Sequence, residues 1–192
     1  AVITVGGFDD EHGSEVEKLV PYHSSYGPTI DCVQKPEIIA PAIRVAAPIL
    51  PDTPTAKQAA LLAELVVSDD KELHEIVREH PGVDGELDAA LHLQPYQLRQ
   101  IIAAKKSGQK VISKYYKEVD GTSFAAPIVS SIVAQMLEAR PDLTPQAVKR
   151  ILVANARRMP HVNVDRQGWG VVQPAACVAS ALEWKSGGYP HA

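Results

Sequence analysis

Gly121-Thr122-Ser123-Phe124-Ala125-Ala126-Pro127 sets a glycine and two hydroxyl side chains directly before an apolar run that continues to Leu137. Only Ser130, Ser131 and Gln135 interrupt that run, so it predicts a helix that is hydrophobic nearly all round and belongs in a core. Pro127 removes one backbone donor in the early turns, and a local distortion is expected there. A serine hydroxyl is a weak nucleophile until a base takes its proton and backbone N–H groups receive the oxyanion that forms. A helix N-terminus supplies part of that setting, because its first amides lack acceptors and its dipole favours negative charge. Gly121 lets a substrate approach the backbone where a side chain would intrude. The same residues also suit an ordinary capping turn, since Thr and Ser favour N-cap positions.

The flanking segments favour the nucleophile. Gly-Thr-Ser-x-Ala-x-Pro is similar to the serine motif of the subtilisin-like proteases, the subtilases of peptidase family S8. Ala1 to Gly7 resembles the strand that follows the substrate-binding region of that family. Ser24-Ser25-Tyr26-Gly27-Pro28 and then Lys35 to Pro41 resemble the loop and strand that lead toward the serine. Leu143 to Leu152, followed by Gly168-Trp169-Gly170-Val171-Val172, resembles the closing helix and turn. The order of these segments is the family order, and they cover most of the chain outside residues 52 to 113. The resemblance implies a serine endopeptidase with Ser123 as nucleophile and the Ser123 backbone N–H as one donor of the oxyanion hole. It implies a polypeptide substrate and no cofactor, and leaves structural calcium in the whole enzyme open.

In the family the chain order is Asp, His, Ser. The histidine sits in a His-Gly-Thr run, and no such run occurs in these 192 residues. The second oxyanion donor, an Asn, and most of the specificity pocket also precede the segment resembling Ala1 to Gly7. The expectation is therefore the C-terminal half of a subtilase catalytic domain, opening at Ala1 rather than Met and inactive by itself. Its partner would be the missing N-terminal half. Without that half, an exposed sheet edge and uncovered apolar faces predict self-association. The reading from a different class is a non-catalytic pseudoprotease or protein-binding module. An upstream Asp and His-Gly-Thr run would discriminate the two.

Asp9-Asp10-Glu11-His12-Gly13 imitates the rest of a triad, but the resemblance places it in a solvated surface loop. His23 reads as a loop histidine, and His74, His80, His92, His161 and His191 are scattered without the close helical pairs that bind zinc. Composition narrows the rest. The net charge of −4 comes with no basic stripe, which argues against nucleic acid as a partner. No apolar run reaches the roughly 18 to 20 residues that span a bilayer, and the compartment is left undetermined. Cys32, in a turn where the family often has Gly, and Cys177, in an apolar helix-like run, are too few for a disulfide framework. Cys177 reads as a core thiol, and a bridge between the two is left open.

The coarse pattern is α/β, and the resemblance implies a partial three-layer subtilisin-like fold with a parallel sheet flanked by helices. Val2 to Val5 and Ile38 to Ala40 read as buried parallel strands, with Ile43 to Ala47 continuing the second. Val111-Ile112 and Tyr115-Tyr116 read as one strand or two before the serine turn. Thr144-Pro145 is a helix start, with Val148, Ile151 and Leu152 on its buried face. Residues 1–51 and 114–192 make the family domain, and residues 52–113 an α-helical insertion. Within it, Thr55 to Gln58 reads as a capping box. Asp69 or Asp70 caps a second helix carrying Leu73, Ile76 and Val77, and a third starts near Pro95. The insertion is read as decoration or, more sharply, as a lid, because it leads within a few residues into the serine turn. Ala42 and Ser131 stand where the family commonly has Gly.

Overall fold

The structure, a computed structural model, describes residues 2–10, 13 and 15–184. In chain order the strands are β1 (Val5–Asp9), β2 (Val20–Pro21), β3 (Gly27–Pro28), β4 (Gln34–Lys35), β5 (Ile38–Pro41) and β6 (Val45–Pro48). Helices α1 (Pro54–Val67), α2 (Leu73–Glu79), α3 (Gly85–Ala89) and α4 (Pro95–Gly108) follow, then a hairpin of β7 (Val111–Ser113) and β8 (Tyr116–Val119). The chain closes with α5 (Thr122–Ala139), α6 (Pro145–Asn155), α7 (Val164–Gln167) and α8 (Pro174–Leu182). Two compact units result: Ala1–Val45 with Asp120–Ala192, and Ala46–Val119.

The first unit is built on a sheet of order β2-β1-β5, with β1 and β5 parallel in the register Val5 to Ile38 through Phe8 to Pro41. Val171 extends it beyond β5 through parallel bonds to Ile39 and antiparallel bonds to Arg157. Side chains of a strand alternate between faces, and β5 is buried on both. Ile38 and Ala40 join Val129, Ile132, Met136, Ile151 and Leu152 in the main core under α5, α6 and α8. Ile39 turns the other way, to Phe8, Leu19, Met159 and Val171. The chain is thus mixed α/β with a parallel strand pair at its centre, the partial subtilisin-like architecture.

β1 begins three residues later than Val2, running through Gly6 and Gly7 rather than stopping before them. Glycine inside a strand marks a close approach: a Cβ at Gly7 would collide with Ala42 Cβ and crowd Tyr22. Ala42 itself is fully buried, so the two positions share one space. The predicted continuation of β5 into Ile43 to Ala47 does not occur. Arg44 takes φ +53°, a left-handed conformation that breaks the extended run, and β6 pairs instead with β8.

α5 runs unbroken through Pro127 but is not buried all round. Ala125, Val129, Ile132 and Met136 form one buried face, while Ala126, Pro127, Ser130, Ala134 and Leu137 lie exposed. The sequence states what a helix can bury, and these residues supply partners for one face only. α6 follows expectation, with the Thr144 hydroxyl accepting from the Ala147 N–H at 3.2 Å and Pro145 in the first turn. Cys177 is buried and Cys32 exposed, both as free thiols, and Cys32 takes φ +58° in its turn.

The second unit has its own core of Leu61, Leu62, Leu65, Leu73, Val77, Leu87, Leu98 and Ile102. Its bounds, 46 and 119, lie outside the expected 52 and 113 because β6, β8 and β7 form one sheet and β7 packs on α1 and α4. The cap of α1 is Thr53, which accepts from the Ala56 N–H at 3.2 Å, and not Thr55. Pro54 lacks an N–H and its fixed φ suits the first helical position, so the cap falls one residue before it. Neither Asp69 nor Asp70 caps α2, whose N-cap is Glu72. Arg99 instead binds Asp70 and closes the end of α1 by donating to the Leu65 and Ser68 carbonyls, each at 2.6 Å. The short α3, not anticipated, is capped by buried Asp84, whose carboxylate also receives Lys105 and Gln58. Burial raises the Asp84 pKa, but these hydrogen bonds outweigh it and hold the carboxyl below its ordinary range.

Candidate active site

The N-cap of α5 is Gly121, at φ +139°, a conformation that L side chains rarely adopt. Thr122 and Ser123 therefore lie inside the first helical turn, and neither side chain caps the helix. The Ser123 side chain is exposed, next to amides that have no acceptor within the helix.

Three tethers hold this turn. The Gly121 N–H donates to the Ala42 carbonyl at 2.7 Å, just past the end of β5. The Asp120 carboxylate accepts the Arg44 N–H at 2.9 Å. The Arg44 guanidinium in turn donates through Nη2 to both carboxylate oxygens of Asp9, at 2.8 and 3.0 Å, at the end of β1. Ser123 is thereby fixed beyond the carboxyl ends of the two parallel strands, where open α/β sheets place their ligands. The helix dipole and free amides make this corner favourable for a developing negative charge.

The reading of a solvated loop is corrected at Asp9 alone among residues 9 to 13. Asp9 ends β1, and its side chain is only 18% exposed because Arg44 pairs with it. Sequence inspection missed Asp9, Arg44 and Asp120 as a set. Their separation of 35 and 76 residues leaves no local signal, although a non-glycine at positive φ in the loop after β5 marks a constrained position.

A second polar cluster lies at the opposite end of β5. Glu37, with a side chain 7% exposed, accepts from the Thr4 N–H and the Lys149 ammonium, each at 2.6 Å, and from Lys35 and the Thr4 hydroxyl. Burial raises its pKa, but the bonds from Lys149, Lys35 and Thr4 more than offset this and bring it down to about 2. Gly168, at φ +59°, packs against this segment so closely that a Cβ would collide with the Pro36 and Glu37 carbonyls. The Trp169 N–H donates to the Glu37 carbonyl at 2.8 Å. These contacts are architectural, and they account for the Gly-x-Gly turn near the end of the chain.

The described histidines are engaged elsewhere. His74, His80, His92 and His161 each bond a backbone carbonyl, of Leu93, Ile76, Ala89 and Leu19 respectively, and the His23 ring lies 4.0 Å from that of Tyr22. His12 and His191 lie outside the described residues. Among the described residues no group of three or more His, Cys, Asp or Glu is gathered to hold a metal ion, and no helix is long and apolar enough to cross a membrane.

The sequence profile of the subtilase family matches residues 1–170. Serine protease AprX of Bacillus subtilis (strain 168) is 27% identical over 172 residues, covering 89% of this chain and 28% of AprX. A Deinococcus radiodurans protein named as a probable subtilase-type serine protease is 32% identical over 97 residues, 48% of this chain and 13% of its own length. Mouse membrane-bound transcription factor site-1 protease is 39% identical over 57 residues, 28% of this chain and 5% of its own length. The chain thus spans 28% or less of each of these relatives, and it belongs to the subtilase family.

Proposed function

We propose that this chain supplies the nucleophile of a serine endopeptidase. The observation that carries the reading is an exposed Ser123 in the first turn of α5 that does no capping, because Gly121 holds the cap position. In this reading Ser123 Oγ attacks the scissile carbonyl and loses its proton to a histidine. The Ser123 N–H then donates to the tetrahedral oxyanion, and collapse expels the amine and leaves an acyl-enzyme that water hydrolyses.

The histidine, its orienting aspartate and the second oxyanion donor come from residues outside these 192, in the N-terminal part of the same catalytic domain. Two observations support this. His161 of the first unit is bonded to the Leu19 carbonyl and the His23 ring lies against Tyr22, and α5 exposes an apolar stripe of Ala126, Ala134 and Leu137 that a further layer would cover. The chain alone is then inactive, since loss of the triad base removes most of the rate enhancement, and the open stripe makes it self-associate. The substrate is a polypeptide.

The second reading, a non-catalytic module, draws on the same engaged histidines. Labelling by a fluorophosphonate separates the two. Ser123 reacts when the chain is combined with the upstream half and not when Ser123 is replaced by Ala. A folded complex that leaves Ser123 unlabelled would sink the catalytic reading and favour the module.

A further inference from the structure

Helices α6 and α8 of the first unit, with Arg158, Trp169 and Trp184, form an open cleft of about 810 Å³. Its polar floor is the Asn155 amide donating to Ser180 Oγ at 3.0 Å, beside apolar Ile151 and Val153. Arg150, Arg158, Trp169 and Trp184 line the rest, and among the described lining residues there is no carboxylate. These two tryptophans are the only two in the chain.

Trp169 is 52% exposed and lines the cleft together with Trp184. Its backbone is not free to withdraw, because Gly168 is wedged against the Pro36 and Glu37 carbonyls and the Trp169 N–H is bonded to Glu37. The Arg158 guanidinium lies 5.6 Å from the centre of the indole, and among the described residues it forms no ion pair. Stacking of this kind orients the guanidinium fork before any anion arrives. Trp and Arg in a pocket with a polar floor are the composition of binding hot spots. The cleft is distinct from the serine turn: Trp169 is bonded to Glu37 just before β5, and Gly121 to Ala42 just after it, about 16 Å along an extended strand.

We propose that this cleft binds an acidic peptide segment that carries an aromatic side chain. The ring enters between Trp169 and Trp184, and a flanking carboxylate meets Arg158. Nucleic acid also uses Trp and Arg, but it needs a basic track for its backbone. This cleft is a local concavity of ordinary ligand-pocket size, with no basic track leading from it, on a chain of net charge −4.

Because both tryptophans line the cleft, intrinsic fluorescence of the whole 192-residue chain reads its occupancy. The probe is acetyl-Asp-Glu-Phe-Asp-amide, compared with acetyl-Lys-Lys-Phe-Lys-amide and with an oligothymidylate. The acidic peptide gives a saturable change in emission and the lysine peptide none. Arg158→Gln weakens binding about tenfold, the loss of one charge-assisted hydrogen bond. Trp169→Phe retains binding with reduced signal. Arg158 and Trp169 are exposed, so these variants keep the wild-type far-ultraviolet circular dichroism. A flat titration to millimolar acidic peptide overturns the proposal, as does equal binding of the lysine peptide or an unchanged affinity in Arg158→Gln. A saturable response to oligothymidylate that Arg158→Gln abolishes would assign the cleft to nucleic acid and overturn it too.

Discussion

Replacing Glu37 by Gln tests whether the parallel strand pair is held by charge as well as by burial. The carboxylate gathers Thr4, Lys35 and Lys149, joining the residue before β1, the residues before β5 and the first turns of α6. Its pKa falls from an ordinary 4.5 to about 2 in the folded chain, despite a burial that pushes it up. At about 1.4 kcal/mol per tenfold change in proton affinity, the ionised carboxylate contributes about 3 kcal/mol at neutral pH. Glutamine keeps the shape and one acceptor, and the lysine side chains, 25% and 32% exposed, can turn to water. The expected loss is therefore about 2 kcal/mol, less than the 3 to 5 kcal/mol of breaking a fully buried pair. The pH dependence gives the sharper check. A carboxyl with a depressed folded pKa stabilises fully above its unfolded value, so the benefit is complete above about pH 4.5 and disappears as pH falls through about 2. Urea unfolding of both proteins at pH 7, 4 and 2 measures this. The gap between wild type and Glu37→Gln narrows steadily across that series. A gap that is constant with pH, or below about 0.5 kcal/mol at pH 7, would refute the reasoning.

Substitutions at three other positions probe the packing and the tethers around the serine turn. Gly7→Ala places a Cβ against Ala42 and costs about 1 to 3 kcal/mol in urea unfolding, and Ala42→Gly in the same chain recovers most of it; no recovery would mean that the two do not share the space. Asp120→Ala removes the acceptor of the Arg44 N–H and lowers the rate of fluorophosphonate labelling at Ser123 about tenfold in the reconstituted domain, with Asp120→Asn closer to wild type. Equal rates for all three would show that the tether does not position the serine.

Features with a local cause were legible in the sequence. Thr144-Pro145 starts α6 because a hydroxyl cap and a proline at the first position act within a single turn. α4 and the serine turn were placed by spacing and by Pro95 and Gly121 in the same way. Thr53 and Thr55 carry the same side chain, and only the location of Pro54 makes Thr53 the cap. The Asp9–Arg44–Asp120 chain and the Glu37 cluster were invisible because, Lys35 beside Glu37 aside, their partners stand 33 to 112 residues apart. The exposed side of α5 was hidden for another reason: hydrophobicity records a demand for burial and does not say which segment meets it.

The central claim is that Ser123 is a nucleophile awaiting a base. Fluorophosphonate labelling of the chain alone and of the chain combined with its upstream half tests it most directly, with the modified residue located by mass spectrometry. Labelling at Ser123 only in the combined sample is the predicted result. A folded complex without labelling, or labelling of the isolated chain at the same rate, would contradict the account.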